Sequence, residues 1–176
     1  YCPQVVLGLG VDMADRMLRL AKTKLAAFNS ERPIPTSLLR ADACALPLET
    51  ASADLVTIAF GIRNVTDVGT ALEEMYRILR PGGRALILEF SLPSNRLVRS
   101  VYLFYFRSIL PRLGGIISGD RYAYRYLNET VESFPYGKDF CDLMTQSGFS
   151  NTKETRLTFG VATIYSGDRI DGDGKV

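Results

Sequence analysis

FGIRNVTD, residues 60–67, sets a guanidinium and an amide side by side, Arg63 and Asn64, directly after LVTIA, five residues without a charge. Such an unbroken apolar run reads as a strand buried on both faces. Desolvating an unpaired charge is costly, so Arg63 has two readings. Either it sits in solvent at a surface corner, paired with Asp67, or it is aimed at something. The other strand-like runs end in acids: VVLGLGVD in Asp12, TSLLRAD in Asp42, and RALILEF with Glu89 next to last. In an open α/β sheet, ligands bind beyond the carboxyl ends of the strands, so these four polar endings mark one candidate edge. A carboxylate can accept from both hydroxyls of a ribose, and Asp12 stands where dinucleotide folds carry that acid. Equally, Asp12 can cap the helix that follows. Asp42 can meet an adenine amine, with Ala43 letting the ring close in, or it can be a loop acid at a turn. Glu89 can be buried and paired, and a structural role is the favoured one for it.

The elements that must position these groups alternate. Residues 5–12 read as a strand. Ala14, Met17, Leu18, Ala21, Leu25 and Phe28 then share one helical face. Residues 36–42 and 54–60 read as further strands. A helix capped by Thr66 or Asp67 buries Val68, Ala71, Leu72, Met75, Tyr76 and Leu79, with Glu73 and Arg77 paired outside. Pro81-Gly82-Gly83 stops it, and residues 84–90 form the fourth strand. Repetition of this kind means a parallel sheet with helices on its faces. Residues 96–110 read as a helix with Val98, Val101, Tyr102, Tyr105, Phe106 and Ile109 on one stripe. Further helices are expected over 124–134 and 138–147, the latter ending at Gly148. Residues 150–157 and 159–165 close the domain as an antiparallel pair, and 167–176 form a frayed tail. The whole is expected to be one α/β domain.

Composition narrows the chemistry. Of the 176 residues 47% are hydrophobic, which argues for a packed core and against disorder. The net charge of +2 with no basic cluster gives no nucleic-acid footprint. There is no histidine, which excludes Ser–His and Cys–His catalysis and removes the commonest metal ligand. Three scattered cysteines fit a reducing compartment rather than a disulfide framework or a zinc site, so no metal is expected. No run reaches the ~18 apolar residues of a membrane span.

Taken together, GVDMADRML, ADACALP, FGIRNVTD, ALEEMYRILRPGG, LEFSLP, ILPRLGG and YRYLNETVESFP resemble the UbiE/COQ5 family of class I methyltransferases. The resemblance covers nearly the whole chain. It implies a Rossmann-like fold, S-adenosyl-L-methionine as cofactor, and C-methylation of a polyprenyl benzoquinol or of demethylmenaquinol, with the benzoquinol favoured. It assigns cofactor contacts to Asp12, Met13, Asp42, Ala43, Phe60 and Gly61, and catalysis to Arg63 and Asn64. In this reading Arg63 holds the phenolate that forms and orients a water that takes the proton, since an arginine side chain stays protonated and cannot be the base. Tyr122, Arg125 and Tyr126 are expected to line the ring pocket. The prenyl tail would run along residues 97–110 and 124–134, as a lid or as a surface dipping into a bilayer interface. The family implies peripheral contact with the bacterial inner membrane or the matrix side of the mitochondrial one, and a homodimer or a quinone-synthesis complex.

One departure stands out. The family's glycine-rich loop and first strand precede its acidic motif, whereas here Tyr1 lies close to the strand carrying Asp12. That strand would sit between the Asp12 strand and the strand at 54–60, so the sequence is expected to lack an N-terminal portion. Two rival functions remain open: a nicotinamide-dependent oxidoreductase on a similar sheet, weakened by the missing GxGxxG, and a non-catalytic scaffold subunit of a quinone-synthesis complex.

Overall fold

The computed structural model describes residues 5–28, 34–110, 112, 130–131 and 134–170. They form two compact units, residues 1–48 and 49–176, each described here by itself.

In the first unit, β1 (Gly8–Asp12) pairs in parallel with β2 (Thr36–Arg40) through α1 (Asp15–Ala27). Asp12 lies opposite Arg40. Parallel pairing requires such a crossover. The glycines suit the close strand contact, since a Cβ on Gly10 would sit 2.8 Å from a Leu38 methyl. The apolar face read on α1 is present, yet no residue of α1 is buried, and Met17, Leu25 and Phe28 are exposed.

The second unit carries the core. Its sheet has the order β3-β4-β6-β5, from β3 (Ala53–Ala59), β4 (Leu79–Phe90), β5 (Ser150–Leu157) and β6 (Ala162–Asp168). β3 and β4 are parallel; β6 runs antiparallel to β4 and to β5. The C-terminal antiparallel pair expected from the sequence is therefore present, on a mixed sheet of Rossmann-like character. α2 (Val68–Ile78) and α4 (Lys138–Gln146) pack on one face, where Leu72, Met75, Phe140 and Met144 meet Ala85, Ile87 and Tyr165. Asp67 caps α2, its carboxylate accepting from the Thr70 N–H at 3.0 Å. Tyr165 is fully buried against Phe140, with ring centroids 4.5 Å apart, and its hydroxyl accepts from the Gly137 N–H at 2.7 Å. Burial pushes the Tyr165 phenol up, which keeps it neutral.

Four expectations are corrected. First, β3 is not buried on both faces: Leu55, Thr57 and Ala59 are exposed while Val56 and Ile58 face the core. Among the described residues of this unit, α2 and α4 cover only the face of Val56 and Ile58, so its run is half-covered. Second, Arg77 pairs with Glu74 at 2.7 Å rather than with Glu73; the i,i+3 partner competes with the i,i+4 partner on a helix. Third, Pro81-Gly82-Gly83 is not outside the strand but a break inside β4, where the register jumps from Ala53–Leu79 to Leu55–Arg84. A Cβ on Gly83 would lie 2.8 Å from the Arg80 carbonyl oxygen, so glycine is needed there. Fourth, the tail does not fray at 167. Gly167 and Asp168 belong to β6. Arg169 donates from Nη1 to the carbonyls of Tyr76, Arg77 and Leu79 at 3.1, 2.8 and 2.6 Å, closing the C-terminus of α2.

Residues 96–110 divide into α3 (Arg96–Phe104) and a π-helical turn (Tyr105–Ile109). Asn95 caps α3 through the N–H groups of Leu97 and Val98. Of the stripe read from the sequence, Phe106 is buried with Leu92 and Val131, and Tyr102 packs beside it. Val98, Val101 and Tyr105 are exposed. Most of the helix expected over 124–134 lies outside the described residues.

Candidate active site

β3 ends at a backbone singularity. Phe60 has φ 54°, in the left-handed region that costs a residue with a Cβ. Its N–H still closes the ladder onto the Leu88 carbonyl at 2.8 Å. The chain then turns through a short 3₁₀ segment (Ile62–Asn64), with Ile62 fully buried beneath it. This turn sends the Arg63 side chain back over the end of β4.

There it meets Glu89. On β4 the residues of odd number, Ala85 and Ile87, face the core. Glu89 continues that face and is 0% exposed, against 9% for the Arg63 side chain. Arg63 Nη1 donates to Glu89 Oε1 at 2.5 Å and to the Phe60 carbonyl at 2.8 Å. The same Oε1 accepts from the Phe90 N–H at 2.8 Å, and Oε2 lies 3.5 Å from the Arg63 N–H. The guanidinium carbon stands 5.2 Å from the Phe90 ring centroid, and Phe60 packs on Phe90 at 4.5 Å. A cation over an aromatic face gains a further attraction. Arg63 Nε is buried and has no hydrogen-bond partner.

The surface-corner reading of Arg63 is thus overturned. Asp67 caps α2, and the partner of Arg63 is an interior carboxylate. Asn64 follows on the same turn, its N–H bonded to the Gly61 carbonyl at 3.0 Å. Gly61 fits closely, since a Cβ there would sit 3.3 Å from the Ile58 side chain. The sequence signal for Glu89 was available: one acid at a core-facing position closing the apolar run ALIL.

In the first unit, parallel pairing brings Asp12 and Asp42 to the same end of β1 and β2. Each spends one oxygen locally. Asp12 Oδ1 accepts from the Ala14 N–H at 2.7 Å, just ahead of α1; Asp42 Oδ1 accepts from the Cys44 N–H at 2.9 Å. Asp42 also bridges Ala45 across a tight turn that holds Ala43. Met13 is exposed, and its carbonyl accepts from Arg40 Nε at 3.1 Å. Asp12 is not the N-cap of α1, which is Ala14 without a side-chain cap; its Oδ1 closes a turn just ahead of the helix, and the other oxygen is left for a diol. The strand-end acceptors therefore suit an adenosyl group, an acid for the ribose and a small residue beside a second acid for the base. Tyr122, Arg125 and Tyr126 lie outside the described residues. Among the described residues no group of three or more Cys, Asp or Glu could hold a metal.

The sheet and its crossovers superpose on a SAM-dependent methyltransferase from Thermotoga maritima with a TM-score of 0.63, at 19% identity, over 92% of this chain and 72% of that one. The fold is that of the class I methyltransferases. Residues 5–169 match the model of the ubiE/COQ5 methyltransferase family. The chain is 46% identical to the ubiquinone/menaquinone biosynthesis C-methyltransferase UbiE of Syntrophotalea carbinolica, over 94% of its own length and 68% of the relative's. It is 48% identical to the demethylmenaquinone methyltransferase of Thermus thermophilus, over 92% and 71% respectively. The chain belongs to the UbiE/COQ5 methyltransferase family, and it spans about two thirds of the length of these relatives.

Proposed function

We propose that this protein transfers a methyl group from S-adenosylmethionine to a ring carbon of a prenylated hydroquinone, a benzoquinol or a demethylmenaquinol, in keeping with relatives named for ubiquinone/menaquinone biosynthesis and for demethylmenaquinone. The observation that carries the reading is the buried guanidinium of Arg63, pinned at Nη1 and unsatisfied at Nε. A buried donor without an acceptor calls for an explanation, and a phenolate oxygen supplies one. When bound, adenosylmethionine supplies an electrophilic methyl on a sulfonium. In the first unit Asp12 would hold its ribose and Asp42 with Ala43 its adenine, with Met13 next to Asp12; in the second unit Phe60 and Gly61 are the cofactor contacts that the family resemblance assigns. The acceptor carbon becomes nucleophilic when its neighbouring hydroxyl loses a proton. Arg63 stabilises the oxyanion, and Asn64 fixes the second oxygen or the water that takes the proton.

The test is product analysis with isotopically labelled adenosylmethionine and two acceptors, a short-chain prenyl benzoquinol and a short-chain demethylmenaquinol. Label on a ring carbon of either product is expected, and the preferred acceptor names the branch. Label on oxygen only, or on neither acceptor, defeats the reading.

A prenylated acceptor resides in a bilayer, and the protein must reach it there. No helix among the described residues is long and apolar enough to cross a membrane. α3 instead exposes Leu97 (74%), Val101 (64%) and Phe104 (64%), with Arg96 and Arg107 exposed on the same helical stretch. Apolar groups beside basic ones suit the interface of an anionic leaflet. The β5–β6 turn adds Phe159, 88% exposed at φ 58°. This turn lies beside the start of α3: a Cβ on Gly160 would be 3.3 Å from the Pro93 backbone, and Arg156 bonds the Ser94 hydroxyl. F104D with F159D should lower binding to phosphatidylglycerol vesicles about tenfold, as expected when two apolar side chains leave an interface. Sedimentation with these vesicles, against phosphatidylcholine vesicles, checks it, and equal binding by parent and variant refutes the contact.

A further inference from the structure

We propose that Glu89 is a positioning residue of the reaction: its buried carboxylate clamps one edge of the Arg63 guanidinium, so that the remaining N–H groups are held for the acceptor oxygen. This rests on the reading of Arg63 as the group that stabilises the phenolate.

Glu89 acts on its arginine partner rather than on the acceptor. It is 0% exposed, and its Oε1 is already committed to Arg63 Nη1 and to the Phe90 N–H. Oε1 is thus spent on partners within the protein. Fold stability does not explain the carboxylate. A buried ion pair is often no better than well-packed apolar residues of the same volume, because desolvation offsets the attraction. Position 89 continues the core face of Ala85 and Ile87, where an apolar side chain would extend the core. A carboxylate there is explained by what it does to its partner.

An arginine has many rotamers, and a flexible cation is a poor oxyanion ligand, since preorganisation is what makes such a donor effective. Four groups remove that freedom here. Glu89 and the Phe60 carbonyl both take Nη1, and the Phe90 ring lies along the guanidinium with Phe60 packed on it. The left-handed backbone of Phe60 belongs to the same arrangement, because its carbonyl is one of the two acceptors. Every clamp acts on the Nη1 side or on the flat face. Nε, buried and unpartnered, is what remains for a ligand, with Nη2 beside it in the guanidinium fork. Before the acceptor hydroxyl ionises, Glu89 balances the charge of the buried guanidinium.

The experiment measures methyl transfer in the full chain with E89Q, R63K and the double variant, alongside adenosylmethionine affinity and thermal midpoints. E89Q keeps the shape and one acceptor but removes the charge. E89Q is expected to lower kcat about tenfold, with KM for adenosylmethionine within about twofold. The double variant should be no slower than R63K alone, since Glu89 acts only through Arg63. Should E89Q fold poorly, E89D keeps the charge and withdraws the carboxylate by one methylene, and the same pattern is expected of it. Losses that multiply in the double variant overturn the inference, because a general structural defect would behave in that way. So does an E89Q kcat within twofold of the parent while R63K is slow; that outcome leaves the reading of Arg63 standing. An R63K enzyme as fast as the parent overturns the reading of Arg63 and this inference with it.

Discussion

Arg63→Ala is expected to lower methyl transfer about 100- to 1000-fold, the range seen when one preorganised oxyanion donor is deleted, while adenosylmethionine affinity stays within a few-fold. The guanidinium stands at the carboxyl end of the parallel pair β3–β4 with one buried donor unsatisfied, so its loss removes stabilisation that appears only as the acceptor hydroxyl ionises. The variant carries a confounding cost. Removing Arg63 leaves Glu89 fully buried without a counter-ion, and breaking a buried pair in this way costs about 3–5 kcal/mol of stability. A loss of activity alone would then be ambiguous. Arg63→Ala combined with Glu89→Gln resolves it, because the uncompensated charge is gone. The thermal midpoint should recover towards the parent while turnover stays as low as in Arg63→Ala. Restored turnover in that double variant would show that Arg63 serves only to neutralise Glu89, and the oxyanion role would be dismissed.

How far the sequence foretold this depended on range. Local signals carried through. The Asp67 cap and the apolar spacing of α2 arose from residues within two turns of one another, and the structure reproduces both. The β5–β6 pair and the Gly148 stop at the end of α4 were likewise local. What the sequence obscured were choices between partners. Arg77 had acids at both i−3 and i−4, and only side-chain geometry selects Glu74. Arg63 and Glu89 lie 26 residues apart, and nothing in either segment alone names the other. The strand LVTIA has an exposed face because α2 and α4 pack on its other face, not because of its own residues. Arg169 shows the same effect. It looked like part of a polar tail, yet three carbonyls at the end of α2 hold it. The candidate site was legible as a set of strand-end residue types. Its inner clamp, with Phe60 in a left-handed conformation and Phe90 beneath the guanidinium, was not.

Asp12→Ala is expected to weaken adenosylmethionine binding about 100-fold, with kcat at saturation within a few-fold of the parent. Hydrogen bonds from a charged acceptor contribute about 1.5–3 kcal/mol each, and a ribose offers two hydroxyls to one carboxylate. The structure supplies the competing explanation, since Asp12 Oδ1 accepts from the Ala14 N–H at 2.7 Å where α1 begins. Alanine removes that bond too, and losing one hydrogen bond of this kind costs about 1 kcal/mol. Asp12→Asn separates the two roles. Its amide oxygen can keep the Ala14 contact, but the charge is gone and one acceptor becomes a donor. If the carboxylate binds the diol, Asn at position 12 should still weaken adenosylmethionine about tenfold while the thermal midpoint of the ligand-free protein hardly moves. If the acid only closes the turn ahead of the helix, Asp12→Asn should bind as the parent does, and calorimetric titration would show equal affinities. The first unit then has no cofactor carboxylate at the end of β1, and the contacts to the ribose must come from elsewhere in the protein.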